Sequence, residues 1–435
     1  MNPYKTAAYY TLGCKLNFAE SSTIARQLSE KGLARVDFDQ KADVYVVNTC
    51  SVTENADRKC RNIIRKAKQT NPSSKVIVIG CYAQLKPKAI ASIDGVDMVL
   101  GANEKFNIAE FLQEDQEDVL IKNEHIKETR EFVPGFSSGD RTRTFLKVQD
   151  GCDYFCSFCT IPLARGRSRS ASIEETLAEA RKAAQTEAKE IVLTGVNIGD
   201  FGSGTNESFF DLVKQLDSID GVERFRISSI EPNLLSNDII EFVAGSEKFM
   251  PHFHIPLQSG SNVLLKKMRR RYDSHLYANR IQTIKELMPN CCIGVDVIVG
   301  FPGESDELFQ ETYDFLNTLP ISYLHVFTYS ERANTTAVRM DETVPMATRN
   351  ERSKMLRILS QKKKRAFYES QVGQERPVLW ESSDVEGMMH GFTDNYLKVS
   401  RSFEANKCNT IDTVELNELD SSGKFNAPIE VLTTA

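Results

Sequence analysis

Residues 144–160 read TFLKVQDGCDYFCSFCT. A β-rich run, TFLKVQ (144–149), leads straight into Cys152, Cys156 and Cys159 in a C-x3-C-x2-C spacing. Five further apolar runs follow: EIVLTGV (190–196), RFRISSI (224–230), HFHIPLQ (252–258), CIGVDVIVG (292–300) and YLHVFTYS (323–330). Helical stretches fit between them at 173–187, 208–218, 275–288 and 305–317. Alternating strands and helices, with nearly pure apolar strands, predict a parallel sheet covered by helices. Six such units are fewer than the eight of a closed barrel, so an open, partial (βα)6 TIM-like barrel is expected.

The same alternation runs upstream. Strands are predicted at 6–12 (TAAYYTL), 43–48 (DVYVVN), 75–80 (KVIVIG) and 97–101 (DMVLG), with helices at 18–31, 54–69, 86–93 and 104–113. This is an N-terminal parallel-sheet α/β domain. Residues 114–142 are polar and irregular and read as a linker. A long basic helix is expected near 346–371. From about 374 the pattern turns to short strands (RPVLWES, GMMHGFT, YLKVS, DTVELNEL, APIEVL), which predicts a small all-β barrel. The expected domains are therefore 1–135, 136–371 and 372–435.

The 435 residues are 41% hydrophobic and 26% charged, which fits a globular protein. No run approaches a membrane span, and the N-terminus lacks the layout of a secretory signal. A cytoplasmic location without membrane attachment is expected, and there ten cysteines argue for metal or redox chemistry over disulfides. Net charge is −6, and residues 372–435 carry all of it. The remaining neutral body holds two basic stretches, KKMRRR (266–271) and RNERSKMLRILSQKKKR (349–365), a local footprint for a polyanion.

Four thiolates would close a zinc or iron–sulfur site. Here there are three, at the carboxyl end of a barrel strand, where active sites of such barrels lie. A four-iron cluster on three thiolates keeps one iron open for a ligand. The competing readings are a zinc site with a distant fourth ligand and three unconnected core cysteines. The motif and its strand context resemble the radical S-adenosylmethionine (SAM) superfamily. That resemblance implies a [4Fe-4S] cluster whose open iron binds SAM and, with one electron, yields methionine and a 5′-deoxyadenosyl radical. It places Phe158 near the adenine, with Tyr154 a simpler packing residue. It gives Gly195 and Asn197 of LTGVN to SAM's amino group, Ser229 and Glu231 of SSIEP to its ribose, and Ile298 and Gly300 of VIVGFPGE to its adenine.

A second trio, Cys14 (TLGCKLN), Cys50 (NTCSVTE) and Cys81 (VIGCYAQ), follows the first three predicted strands. The carboxyl ends of parallel strands share one edge, so three thiolates would converge there on a second cluster. The alternative is three buried free cysteines. Cys60, Cys291, Cys292 and Cys408 fit neither set and are assigned to packing or surface. Two such trios in this order resemble the methylthiotransferases, over almost the whole chain. The resemblance implies that the second cluster carries the sulfur, that one SAM methylates it, and that another supplies the radical that replaces a C–H bond. Such a bond offers no acidic proton, so the cofactor must do the difficult step.

GCKLN and HFHIPLQSGSNVLLKKMRRRY (252–272) resemble the subfamily that acts on threonylcarbamoyladenosine 3′ of the tRNA anticodon. Subfamilies acting on isopentenyladenosine or on a ribosomal protein are the alternatives. An iron–sulfur electron carrier is the reading from outside the class. A threonylcarbamoyl group ends in a carboxylate, for which Arg269 or Arg270 is a candidate; Arg269, Arg270 and Arg271 also suit phosphate. Arg165, Arg167 and Arg169 suit SAM's carboxylate or phosphate. GFTDNYLKVS (391–400) resembles a TRAM domain, an RNA-binding barrel, with Tyr396, Lys398 and Arg401 as candidate contacts. The implied partners are the anticodon stem-loop of a tRNA and an electron donor such as a flavodoxin or ferredoxin; no sulfur donor is implied by name. Cys152→Ala should abolish 5′-deoxyadenosine release from SAM. Cys14→Ala should spare that release and stop sulfur insertion. A methylthio product from the Cys14 variant, read by nucleoside mass spectrometry, would refute the division of labour.

Overall fold

The computed structural model describes residues 3–50, 54–114, 118–139, 142–382, 384–420, 423, 425 and 426. The predicted strand APIEVL (427–432) lies outside them. The first sheet holds six parallel strands: β1 (Thr6–Thr11), β2 (Ala34–Val36), β3 (Val44–Thr49), β4 (Lys75–Gly80), β5 (Met98–Leu100) and β6 (Leu120–Lys122). Their order is β2-β1-β3-β4-β5-β6. Along β3, Val44 and Val46 enter one apolar cluster and Tyr45 and Val47 the other, so both faces are covered. The chain passes from β1 to β2 on one side and then to β3 on the other, which makes a topological switch point between β1 and β3.

Two expectations fail at this level. The stretch 114–142 is not only linker: β6 pairs with β5, and β7 (Gly135–Phe136) pairs antiparallel with the first barrel strand. Strands of two or three residues are too short to carry a periodic signal. The helix expected at 104–113 is a 3-10 turn, Glu104–Phe106, and a single helical turn, Ile108–Phe111, parted at Asn107.

All six barrel strands are present: β8 (Arg143–Lys147), β9 (Glu190–Thr194), β10 (Arg224–Ile227), β11 (His252–His254), β12 (Cys292–Val299) and β13 (Tyr323–Thr328). They form two sheets, β10-β9-β8-β7 and β11-β12-β13, linked by the parallel bridges Phe225–Phe249 and Ser229–His254. Covering helices are capped by Ser172, Ser208, Ser236, Asp273 and Ser305, each accepting a backbone N–H. Side chains alternate along a strand. Leu146, Ile191, Phe225, Phe253, Val295 and Leu324 therefore pack in one core under the helices. Their neighbours on the opposite, concave face are Lys147, Glu190, Arg226, His254, Asp296 and His325. The inside of the barrel is thus charged. Among the described residues no helix is long and apolar enough to cross a membrane.

The last sheet curls through β14 (Glu375–Trp380), β15 (Met388–Thr393), β16 (Lys398–Ser402), β17 (Ile411–Glu415) and β18 (Phe425–Asn426) in the order β17-β14-β15-β16-β18. It closes over the concave face. Arg224 donates to Pro377 O (2.8 Å) and Arg226 to Asp394 O (3.1 Å), while Tyr396 stacks on His252 at 4.2 Å. Arg226 also holds the buried Glu190 in a two-pronged pair (3.0 and 3.1 Å). Arg226→Ala should leave that carboxylate, among the described residues, with the longer Arg224 contact at 4.0 Å as its ion pair, at a cost of about 3–5 kcal/mol. Fluorescence of Trp380, the only tryptophan, should report a lower urea midpoint for the C-terminal sheet, and Arg226→Lys should recover part of the loss.

Candidate metal centres and the recess between them

Both cysteine trios sit at strand ends, and glycine launches three of the six thiols. Gly13, Gly80 and Gly151 precede Cys14, Cys81 and Cys152 and have φ of 106°, 95° and 72°. At Gly80 a Cβ would stand 2.4 Å from Thr49 O, and at Gly151 1.9 Å from Arg167 O, so no side chain fits at either position.

Cys152, Cys156 and Cys159 lie on the loop after β8. Tyr154 N donates to Cys152 Sγ (3.5 Å), Ile161 N to Cys159 Sγ (3.4 Å) and Arg270 Nη1 to Cys156 Sγ (3.1 Å). Each thiol therefore meets a donor that favours its charged, metal-binding form. Burial works against that form: it pushes Cys152 and Cys159 up to about 12 and raises Cys156, which Arg270 opposes. The second trio follows from register. β1 aligns Thr11 with Asn48 of β3, and β3 aligns Thr49 with Gly80 of β4. Cys14, Cys50 and Cys81 come next on three adjacent strands, with Cys14 and Cys50 flanking the switch point. A Cβ on Gly13 would touch Cys50 Sγ at 3.3 Å.

Tetrahedral zinc needs its sulfurs about 3.8 Å apart. Among the described residues neither trio has its sulfurs all within 4.8 Å of one another. That is wider than the spacing around one tetrahedral zinc ion.

Arg165 connects the trios. It ends the short helix Ile161–Arg165, just past Cys159, and is buried. It donates to Asn17 Oδ1 (2.5 Å), Glu20 Oε1 (3.0 Å) and Asp150 Oδ1 (2.9 Å). Lys105 and Lys147 also reach Glu20, and Lys147 and Arg169 reach Asp150. Two buried carboxylates thus face four cations, and the Arg165 charge acts on Cys14 and Cys81. The surplus positive charge lies where three thiolates would gather. Arg165 and Arg169, read in the sequence as SAM or phosphate contacts, are spent on this network; Arg167 is exposed.

The SAM-side residues divide. Phe158 and Ile298 line a cavity of about 200 Å³ with Phe327 and Tyr329. Asn197 is buried beside the Cys loop, and neither its Oδ1 nor its Nδ2 has a partner. An apolar slot and an unsatisfied amide fit a nucleoside bearing an amino-acid end. Gly195 is closely packed: a Cβ there would meet Gln149 O at 2.9 Å, and Gln149 Oε1 accepts from Val196 N and Asn197 N. Gly300 faces Arg349, whose Cγ would lie 2.2 Å from a Cβ. Glu231 is paired with Arg270. Ser229 bonds His254 Nδ1 (2.5 Å), and His254 Nε2 bonds Asp296 (2.8 Å). His254, Asp296 and His325 offer ligand atoms within 4.8 Å, but both nitrogens of His254 are already engaged.

The basic patch is not uniform. Arg269 and Arg271 are exposed; Arg269 adopts φ 59°, and Arg271 covers the Tyr154 ring at 4.1 Å. Arg270 is buried at the cluster loop. Lys398 is half-buried, whereas Arg401 is buried against Glu404 and over Trp380. Cys60, Cys291 and Cys292 are core residues and Cys408 is half-buried. The sequence reading missed Lys15. It is the first residue of the helix Lys15–Glu30, beside Cys14, and open to solvent. Surrounding protein lowers its pKa, with Tyr396 and Cys14 opposing and Arg143 and Arg226 adding to the shift. His325 feels its charge from the barrel side.

The radical SAM superfamily model matches residues 146–316, and the model described as uncharacterized protein family UPF0004 matches residues 6–101. The chain is 42% identical over 406 residues to the threonylcarbamoyladenosine tRNA methylthiotransferase MtaB of Bacillus subtilis, covering 91% of this chain and 90% of that protein. It is 32% identical over 429 residues to the tRNA-2-methylthio-N(6)-dimethylallyladenosine synthase of Desulfitobacterium hafniense, covering 96% and 95%. The radical S-adenosylmethionine methyltransferase TsrM of Kitasatospora setae shares the fold at 13% identity, with a TM-score of 0.57 over 77% of each chain.

Metal loading has to displace protons from the buried thiols. In metal-free protein, alkylation of Cys152 and Cys159 by iodoacetamide should keep accelerating above about pH 10, where an ordinary cysteine has levelled off. Peptide mass spectrometry reads the rates, and a plateau below that pH would contradict the shifts.

Proposed function

The chain belongs to the radical SAM methylthiotransferase family, and on that premise we propose that it replaces the C-2 hydrogen of N6-threonylcarbamoyladenosine in tRNA by a methylthio group. The observation that carries the reading is the pair of cysteine trios, each at the carboxyl end of its own parallel sheet and joined through Arg165. Identity to a relative named for this reaction supports the choice of substrate.

Bound there, two [4Fe-4S] clusters and SAM supply a carbon radical and a transferable methylthio sulfur. The chain's own part is to hold and orient. Cys152, Cys156 and Cys159 hold the SAM-binding cluster, and Arg270 ties Cys156 to Glu231. Asn197 offers unspent hydrogen bonds, and the slot at Phe158 and Ile298 takes an adenine. Cys14, Cys50 and Cys81 hold the second cluster. The target base would enter between the two trios. Exposed Lys266, Arg269 and Arg271, with Lys354 and Arg357 of the long helix Met346–Glu369, suit the phosphates of an anticodon stem-loop. A flavodoxin or ferredoxin would supply the electron.

Nucleoside mass spectrometry of tRNA tests this in cells lacking methylthiotransferases, with and without this gene. Methylthio-threonylcarbamoyladenosine should appear only with the gene. A methylthio-isopentenyladenosine peak would keep the chemistry and overturn the substrate. No new peak, with both clusters confirmed by iron analysis, would turn the search to a ribosomal protein.

A further inference from the structure

The concave face of the barrel is rich in cations, and almost every one is already paired. Arg226 is held by Glu190 and Arg143 by Glu381 at 3.1 Å. Lys147 and Arg165 are held by Glu20 and Asp150, and Arg270 by Glu231. Asp296, on the same concave face, is bonded to His254. Lys15 differs from all of these. Among the described residues it has no hydrogen-bond or ion-pair partner, and it is open to solvent.

Its direction follows from the helix it begins. Lys15 shares a helix face with Phe18 and Ala19, three and four positions on. Phe18 and Ala19 pack on Phe145 of β8 and Val192 of β9, both on the concave face. Phe18 and Phe145 rings meet at 6.3 Å. Lys15 therefore projects toward the barrel mouth, next to Cys14 of the second trio.

We propose that Lys15 binds the carboxylate of the threonylcarbamoyl group and so selects the substrate. The proposal rests on the substrate reading above. A base whose C-2 lies between the trios carries its N6 substituent into the same recess. The substituent ends in one negative charge, and an unpaired ammonium next to Cys14 is its complement. Of the two candidates the sequence suggested, Arg270 is already committed to Glu231 and Cys156, and Arg269 is exposed on the basic patch.

The test uses anaerobically reconstituted holoenzyme and two synthetic anticodon stem-loops, one with threonylcarbamoyladenosine and one with its methyl ester. Binding is read by fluorescence anisotropy. Wild type should prefer the acid about tenfold or more, the range of a charge-assisted hydrogen bond. Lys15→Gln should bring the ratio near one while binding the ester as wild type does, and Lys15→Arg should restore part of the preference. A wild-type ratio in Lys15→Gln would overturn the proposal. Equal loss of both RNAs, or loss of iron, would also overturn it, because Lys15 would then be structural. If wild type itself does not methylthiolate the acid RNA, the substrate reading has failed independently of Lys15.

Discussion

Arg165 is the contact on which the geometry depends. One guanidinium, six residues past Cys159, grips Asn17 and Glu20 of the first helix and Asp150 at the end of β8. Asn17 is three residues past Cys14, and its amide also donates to Leu12 O and Thr49 O at the ends of β1 and β3. The same side chain therefore locates the first trio from one end and the second from the other. Burying these charges is costly, and pairs of this kind are rarely retained for stability alone. Here they fix two sheets in one relative position. They also leave surplus positive charge beside Cys14 and Cys81, where a thiolate-bound cluster would bring negative charge.

The barrel strands show how one sequence period serves two needs. Every second residue is apolar and builds the core beneath the helices. The residues between face inward, and in a closed barrel they would fill its centre with bulky apolar side chains. An open barrel has other occupants. The first helix brings Phe18, Ala19 and Glu20, and the last sheet brings Tyr396 and its carbonyl oxygens. The acidic C-terminal sheet is thus anchored by arginines of the barrel, and its docking draws on backbone acceptors as well as charge.

Much of this was legible beforehand. The six barrel strands and the placement of both trios at strand ends followed from short apolar-rich runs bounded by turns and from cysteine positions. The short edge strands β6 and β7 left no such run and were read as linker. Arginines were the other blind spot. Arg165, Arg169, Arg270 and Arg401 were all read as reaching outward, toward a cofactor or RNA, and all four are paired with carboxylates. A basic stretch states how much charge is present. It does not say which side chains turn inward, since their partners lie far away in the chain.

The sequence by itself determined the alternation of strands and helices and the placement of the two thiol sets at strand ends, because these depend on local period and on residues next to one another. It also determined the family. Only the tertiary structure decided which cations are spent and that Lys15, among the described residues, has no partner. Glu20 meets Arg165 across 145 positions, and Glu231 meets Arg270 across 39. Pairing of buried charge is a property of three-dimensional proximity, and no local pattern encodes it. For that reason Lys15, inconspicuous between a cysteine and a leucine, stands out only once the pairs of its neighbours in space are known.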